Sequence, residues 1–150
     1  MKKIFTFLVV AFVAMGCRAQ SSPVSWSFSA SKVADKTYDI KMVAHIQPKW
    51  HLYSQTQPKD AIAIPTSFTI KKNSLVEPVG NIKEIGKMEV FKDDALGISA
   101  NQYADHVVFV QRVKLRANVK TSYSGNVEFQ TCDDKKCLPP KTVNFSVALK

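Results

Sequence analysis

Tyr38-Asp39-Ile40-Lys41-Met42-Val43-Ala44-His45-Ile46 is the stretch that decides the fold. Every second residue, from Tyr38 to Ile46, is apolar, with Asp39, Lys41 and His45 between them. A helix would scatter Tyr38, Ile40, Met42, Ala44 and Ile46 around its axis, whereas a strand puts all of them on one face. The same period recurs on both sides. Val24, Trp26, Phe28 and Ala30 precede it; Val107, Phe109, Gln111, Val113 and Leu115 mark a long strand further on. Val127, Phe129 and Thr131 follow, and Val143, Phe145, Val147 and Leu149 form the last apolar face. Shorter strands are expected over 50–53, 66–70 and 88–91, with Pro48 ending the second strand and Ile64-Pro65 preceding the fourth.

No stretch after residue 23 keeps a helical period over three turns. About eight short strands, each with one apolar face, must bury those faces against one another. The economical arrangement is two antiparallel sheets packed as a sandwich. The expected class is therefore all-β. Strand number and length fit an immunoglobulin-like topology, without the long-range disulfide of antibody domains.

The chain has 150 residues, the size of one domain, and its 45% hydrophobic content suits a packed core rather than disorder. Its start is different in kind. Lys2 and Lys3 precede an apolar run from Ile4 to Met15, too short to span a bilayer and typical of a secretory signal. Cleavage after Ala19 would leave one domain over 20–150. Ala14-Met15-Gly16-Cys17 also resembles a lipobox, in which case the leader is 1–16 and Cys17 carries a lipid anchor. Either route exports the protein into a compartment where disulfides persist.

Twenty-one Lys and Arg against 12 Asp and Glu give a net charge of +9. Removing Lys2, Lys3 and Arg18 with the leader lowers it to +6. The lysines are scattered, only Arg112 and Arg116 remain as arginines, and export separates the chain from nucleic acid. A solvated basic surface accounts for the charge.

Three cysteines are present, and after leader removal Cys132 and Cys137 are the pair that certainly remains. Asp133-Asp134-Lys135-Lys136 between them is a polar turn. If the two cysteines flank a hairpin loop, their Cα atoms fall in the roughly 4.4–6.8 Å range of a disulfide. Zinc wants four ligands, no second cysteine pair exists, and His45, His51 and His106 lack ligand spacing, so no metal or other cofactor is expected. Two readings of the pair stay open: a structural staple, or a redox-active disulfide. A loop this short stabilises little, and a loop tip is easy for a partner to reach. Lys135 and Lys136 adjoin Cys137, whereas Asp133 adjoins Cys132. On charge alone Cys137 is then the more readily ionised, attacking thiol. Pro139 and Pro140 stiffen the exit.

Trp50-His51-Leu52-Tyr53-Ser54-Gln55, then Ile64-Pro65-Thr66-Ser67-Phe68, then Cys132-Asp-Asp-Lys-Lys-Cys137-Leu-Pro-Pro140 complete the picture. In this order they resemble the N-terminal periplasmic domain of the thiol:disulfide interchange protein DsbD, from about Trp26 to Leu149. The resemblance implies an immunoglobulin-like sandwich with the two catalytic cysteines on an inserted hairpin at one end. It implies electron transfer from a thioredoxin-like partner to periplasmic disulfide proteins, including those of cytochrome c biogenesis. Mixed disulfides would form at Cys137, with Cys132 resolving them. His51 and Tyr53 match positions lining the active site. Asp93, Asp94, Ala95, Leu96 and Gly97 match a cap loop that shields the disulfide. Ala95 and Leu96 stand where that family carries aromatic residues, and Phe91 is the expected substitute.

Proteins of this family continue into membrane-embedded and thioredoxin-like domains. Here a separate membrane donor is expected to supply the electrons to a monomeric relay, which touches the membrane itself only if Cys17 is lipidated. The competing expectation is an immunoglobulin-like binding module with an inert disulfide.

Overall fold

The computed structural model describes residues 22–150; the expected leader, its cleavage site and Cys17 lie outside them. The described residues form eleven strands and no helix. β1 (Val24–Ala34) and β2 (Thr37–Ile46) make a hairpin that sets Trp26 opposite Ala44 and Phe28 opposite Met42. β8 (His106–Leu115) pairs with the other edge of β2, and β5 (Val76–Ile85) with β8, giving the antiparallel order β1-β2-β8-β5. A second sheet runs through β11 (Lys141–Leu149), β9 (Thr121–Phe129) and β4 (Ser67–Ile70), in that order.

The alternation read from the sequence is what joins these two sheets. Ile40, Met42 and Ala44 of β2 and Val107, Phe109 and Val113 of β8 are fully buried, as is Val127 of β9. Aromatic rings cross the interface: Trp26 lies 5.4 Å from Phe129, Phe28 stacks on Phe145 at 4.8 Å, and Phe68 meets Phe109 at 5.1 Å. Burying one such ring contributes on the order of 2–3 kcal/mol, so this layer dominates the stability. The architecture is the all-β, antiparallel, immunoglobulin-like sandwich that the alternation predicts.

A third sheet sits at one end, and its strands are continuations of the main ones. β3 (His51–Tyr53) follows β2 after the turn at Pro48-Lys49, and β6 (Met88–Asp93) follows β5 after Gly86-Lys87. β7 (Ile98–Tyr103) leads into β8 through Asp105, whose φ is 61°, and β10 (Thr131–Cys132) follows β9 after Gln130. The order is β10-β3-β7-β6. Strands rooted in the core on several sides hold this end sheet in place.

Three strands exceed the sequence expectation: β5, β7 and β10, the last because the strand expected through Val127, Phe129 and Thr131 breaks at Gln130 and its end pairs in another sheet. β5 contains Pro78 and Gly80 and a register shift between Val79 and Lys83, so its alternation is broken. Pro78 is tolerated because β5 is an edge strand. β7 buries Ala100, Gln102 and Tyr103, where small and polar residues hide the apolar period.

Candidate functional site

Register in the end sheet determines which side chains meet. Cys132 lies opposite His51, Tyr53 opposite Gln102, and Ala100 opposite Phe91. Because side chains alternate along each strand, all six share one face. That face lines a cleft of about 480 Å³ with Cys137 at its rim. The neighbouring positions Leu52 and Tyr103 point the other way, into the core.

Cys132 and Cys137 form a disulfide across the root of a hairpin turn, with Cα atoms 4.0 Å apart, closer than the roughly 4.4–6.8 Å expected from the sequence. The hydrogen bonds explain the close approach. Asp133 N donates to Lys136 O at 2.9 Å and Leu138 N to Thr131 O at 2.9 Å, so the cysteines between them are a non-hydrogen-bonded pair. Such pairs bring Cα atoms to about 4.5 Å, closer than hydrogen-bonded ones. At the tip, Asp133 Oδ1 accepts from the N–H groups of Lys135 and Lys136, both at 2.8 Å. Those donors, the Lys135 N–H first, hold the Asp133 carboxyl below its ordinary range. The carboxylate that adjoins Cys132 in sequence is therefore committed to the turn.

The two sulfur-bearing residues differ sharply in exposure. Cys132 is 5% exposed, packed with Tyr53 and Ala100, while Cys137 is exposed. Tyr53 is itself buried, which pushes its phenol up from the usual value. His51 is half-buried beside Cys132.

The connection from β3 to β4 forms another wall. β3 is short, and where it ends Gln57 takes over the pairing of β7: its Nε2 donates to Asn101 O at 2.7 Å and its Oε1 accepts from Asn101 N at 3.1 Å. Farther along, Ile64 N donates to Gln130 Oε1 at 3.1 Å, and Gln130 Nε2 donates to Leu138 O at 3.3 Å. Gln130 thereby ties this loop to the base of the cysteine hairpin. The loop carries Ile62 and Ala63 to the cleft.

Asp93, Asp94, Ala95, Leu96 and Gly97 form the turn of the β6–β7 hairpin. Asp93 Oδ1 accepts from Ala95 N at 3.0 Å and Leu96 N at 3.1 Å, and Gly97 supplies φ 64°. This repeats the device at Asp133. Leu96 is 70% exposed and, like the other turn residues, lies outside the cleft lining. Phe91, one turn back, does line it.

Residues 19–149 match the family described as thiol:disulfide interchange protein DsbD, N-terminal. The chain belongs to that family. Among solved structures, the DsbD N-terminal domain of Neisseria meningitidis in its reduced form is 15% identical, with 84% of this chain and 85% of that one covered at a TM-score of 0.53. The N-terminal periplasmic domain of ScsB from Proteus mirabilis is 16% identical at a TM-score of 0.52. There 84% of this chain covers 44% of the other. A complex of the DsbD and PilB N-terminal domains from Neisseria meningitidis gives 17% identity, 79% and 80% coverage and a TM-score of 0.43. No curated protein matches the chain. The first two structures share the fold, and for a DsbD N-terminal domain the disulfide at the cleft rim is the feature that bears on chemistry.

His51, Tyr53, Phe91 and both cysteines, each expected from the sequence, are brought by register to one cleft. Ile62, Ala63, Ala100, Gln102 and Gln130 line it without belonging to any of the motifs. An apolar run, Ala61-Ile62-Ala63-Ile64, inside an otherwise polar connection was the readable signal for the first two. Gln102 and Ala100 carried none, since their role follows from register alone.

Proposed function

We propose that this chain is an exported thiol–disulfide exchange domain that relays electrons through Cys132 and Cys137. The observation that carries the reading is the unequal placement of the pair: an exposed Cys137 beside a buried Cys132, at the rim of an apolar cleft. A thioredoxin-like donor, reached from a separate membrane protein, reduces the disulfide and is itself oxidised. The Cys137 thiolate then attacks a disulfide of the acceptor, forming one mixed S–S bond and releasing one acceptor thiolate. Cys132 attacks Cys137 in turn, closing the pair again and releasing the acceptor as a dithiol. The thiolates released take up protons from water.

In this reading His51 and Tyr53 line the approach to Cys132, and Tyr53 helps to keep the resolving sulfur dry. Shielding of the pair falls to Phe91, with the turn from Asp93 to Gly97 holding the end of that hairpin. The leader over 1–19 is removed, or 1–16 if Cys17 is lipidated, and the domain works in the periplasm. The ScsB domain, described as periplasmic, shares the fold and supports that location.

The test is trapping. Cys132→Ala should accumulate covalent complexes with thioredoxin-like and other periplasmic proteins, through Cys137 and reversible by reductant. Cys137→Ala should accumulate few. Absence of complexes with the first variant in a periplasmic extract would count against the relay.

A further inference from the structure

Register between the main-sheet strands brings together two histidines that lie far apart in the sequence. His45 of β2 stands directly opposite His106 of β8. Their neighbours Ala44 and Val107 are buried in the core, so both imidazoles project from the other, solvent face, and both residues are exposed. Ile46 N donates to Asp105 O at 2.7 Å, which makes that adjoining position the hydrogen-bonded one. His45 and His106 are therefore a non-hydrogen-bonded pair, the kind that sets Cα atoms about 4.5 Å apart and side chains closest. The backbone on each side is held: Gln47 N donates to Pro23 O at 2.8 Å, and His106 N to Ala104 O at 2.7 Å. The neighbouring side chains leave the pair accessible. On β1 the residue opposite His45 is Ser25, small and exposed. The next row of this face holds Ser27, Val43, Val108 and Ile85, none of them charged. Lys41 and Lys83 come one row further on, and Arg112 beyond them is paired with Asp39.

We propose that His45 and His106 form a two-imidazole site for a late first-row divalent cation: Ni2+, Cu2+ or Zn2+. Imidazole nitrogen suits these ions, whereas Mg2+ and Ca2+ need oxygen ligands. Bonds of about 2.0–2.1 Å require the two ligating nitrogens to sit roughly 3 Å apart. Two imidazoles on Cβ atoms about 5 Å apart meet that distance by rotation about χ1 and χ2. Water fills the remaining positions, so the coordination stays open to a further ligand from outside the chain. The site lies where β2 passes into β3 and β7 into β8. A bound ion therefore ties the two central strands of the main sheet together at their joint with the end sheet. The site is separate from the disulfide and does not rest on the relay reading. Sequence spacing gave no ligand pattern here because the two histidines sit on different strands, and only register makes them neighbours.

Titration calorimetry with Ni2+ on the mature chain tests this, with the disulfide closed so that neither thiol of the pair competes for the ion. The buffer is mildly alkaline, where imidazole ligands are neutral. One Ni2+ should bind per chain. His45→Ala and His106→Ala should each weaken that binding at least about tenfold, since each removes half of the protein ligands. His45→Gln and His106→Gln should give the same loss, which separates a lost ligand from a disturbed surface. His51→Ala removes the third histidine and should keep the affinity of the unmutated chain. With Zn2+, the ring protons of His45 and His106 should shift together in the NMR spectrum, with one midpoint. A loss with only one of the two variants would mean a lone exposed imidazole and overturn the site. Equal affinity in every variant, or no binding at all, would overturn it as well. A loss confined to His51→Ala would move the ion to the cleft and contradict the proposal.

Discussion

Closing a loop of about six residues removes only about 2 kcal/mol of unfolded-state entropy. A staple between Cys132 and Cys137, five residues apart, is therefore a weak clamp on a sandwich with this much buried aromatic surface. Asymmetry is the more informative property. Lys135 and Lys136 flank Cys137, Asp133 is turned into the tip, and burial disfavours the thiolate of Cys132. In the reduced protein, Cys137 should be alkylated by iodoacetamide at least about tenfold faster than Cys132, as read by mass spectrometry of the peptides. Comparable rates would remove the basis for assigning attack to Cys137. The Asp133 cap has a defined pH window. Its folded pKa lies below the ordinary 3.8, so the cap is fully present above that value and is lost as pH falls through the lowered one. Relay chemistry near neutral pH meets an intact turn. The charge preference between the cysteines was legible in the sequence; their difference in burial was not, since it follows from Cys132 packing under Tyr53 and Ala100.

Hairpins and short strands carry the site at the scale of elements. The β6–β7 hairpin presents four exposed large apolar side chains: Met88 and Val90 along β6, Phe91 at the cleft and Leu96 at the tip. Phe91→Ala should accelerate reduction of the disulfide by a small thiol by roughly threefold or more. Leu96→Ala should leave that rate unchanged, and both should cost under about 1 kcal/mol of stability. A faster rate for Leu96→Ala with Phe91→Ala unchanged would place shielding at the tip instead.

Anchoring of the end sheet depends on Glu84 of β5. Its Oε2 accepts from Ser54 Oγ at 2.7 Å and from the Tyr103 hydroxyl at 2.6 Å, while Oε1 accepts from Gln55 N at 2.7 Å. Burial first, and then the bond to Glu84, push the Tyr103 phenol up. Glu84→Ala leaves two buried hydroxyls unpaired and should cost about 2–4 kcal/mol, read as a lower urea midpoint at unchanged slope. A loss below about 0.5 kcal/mol would mean water replaces the carboxylate. Long strands with clean alternation, β2 and β8 above all, were readable from the chain. β5 and β7 were not, because Pro78, Gly80 and the buried polar Gln102 erase the period that announces a strand.

Across the whole molecule, the main sheets pack around one core, and their strands run on past a bend to build the end sheet that bears the cysteines. That division of labour explains what sequence reading captured. A core buried by alternation leaves a direct trace in the order of residues, and so does a short Cys–Cys turn. A cleft assembled from β3, β6, β7 and β10 leaves almost none, since its members are brought together by register between strands distant in sequence. Ile62 and Gln130 belong to it through loop geometry rather than motif. The central claim is that this cleft surrounds a working disulfide and not a brace. Equilibration of the full domain in defined thiol/disulfide buffers measures the reduction potential of the Cys132–Cys137 pair. The relay predicts a value well above about −300 mV, a bond that partners can open and close. A value well below about −300 mV would mark a structural bond and contradict the account.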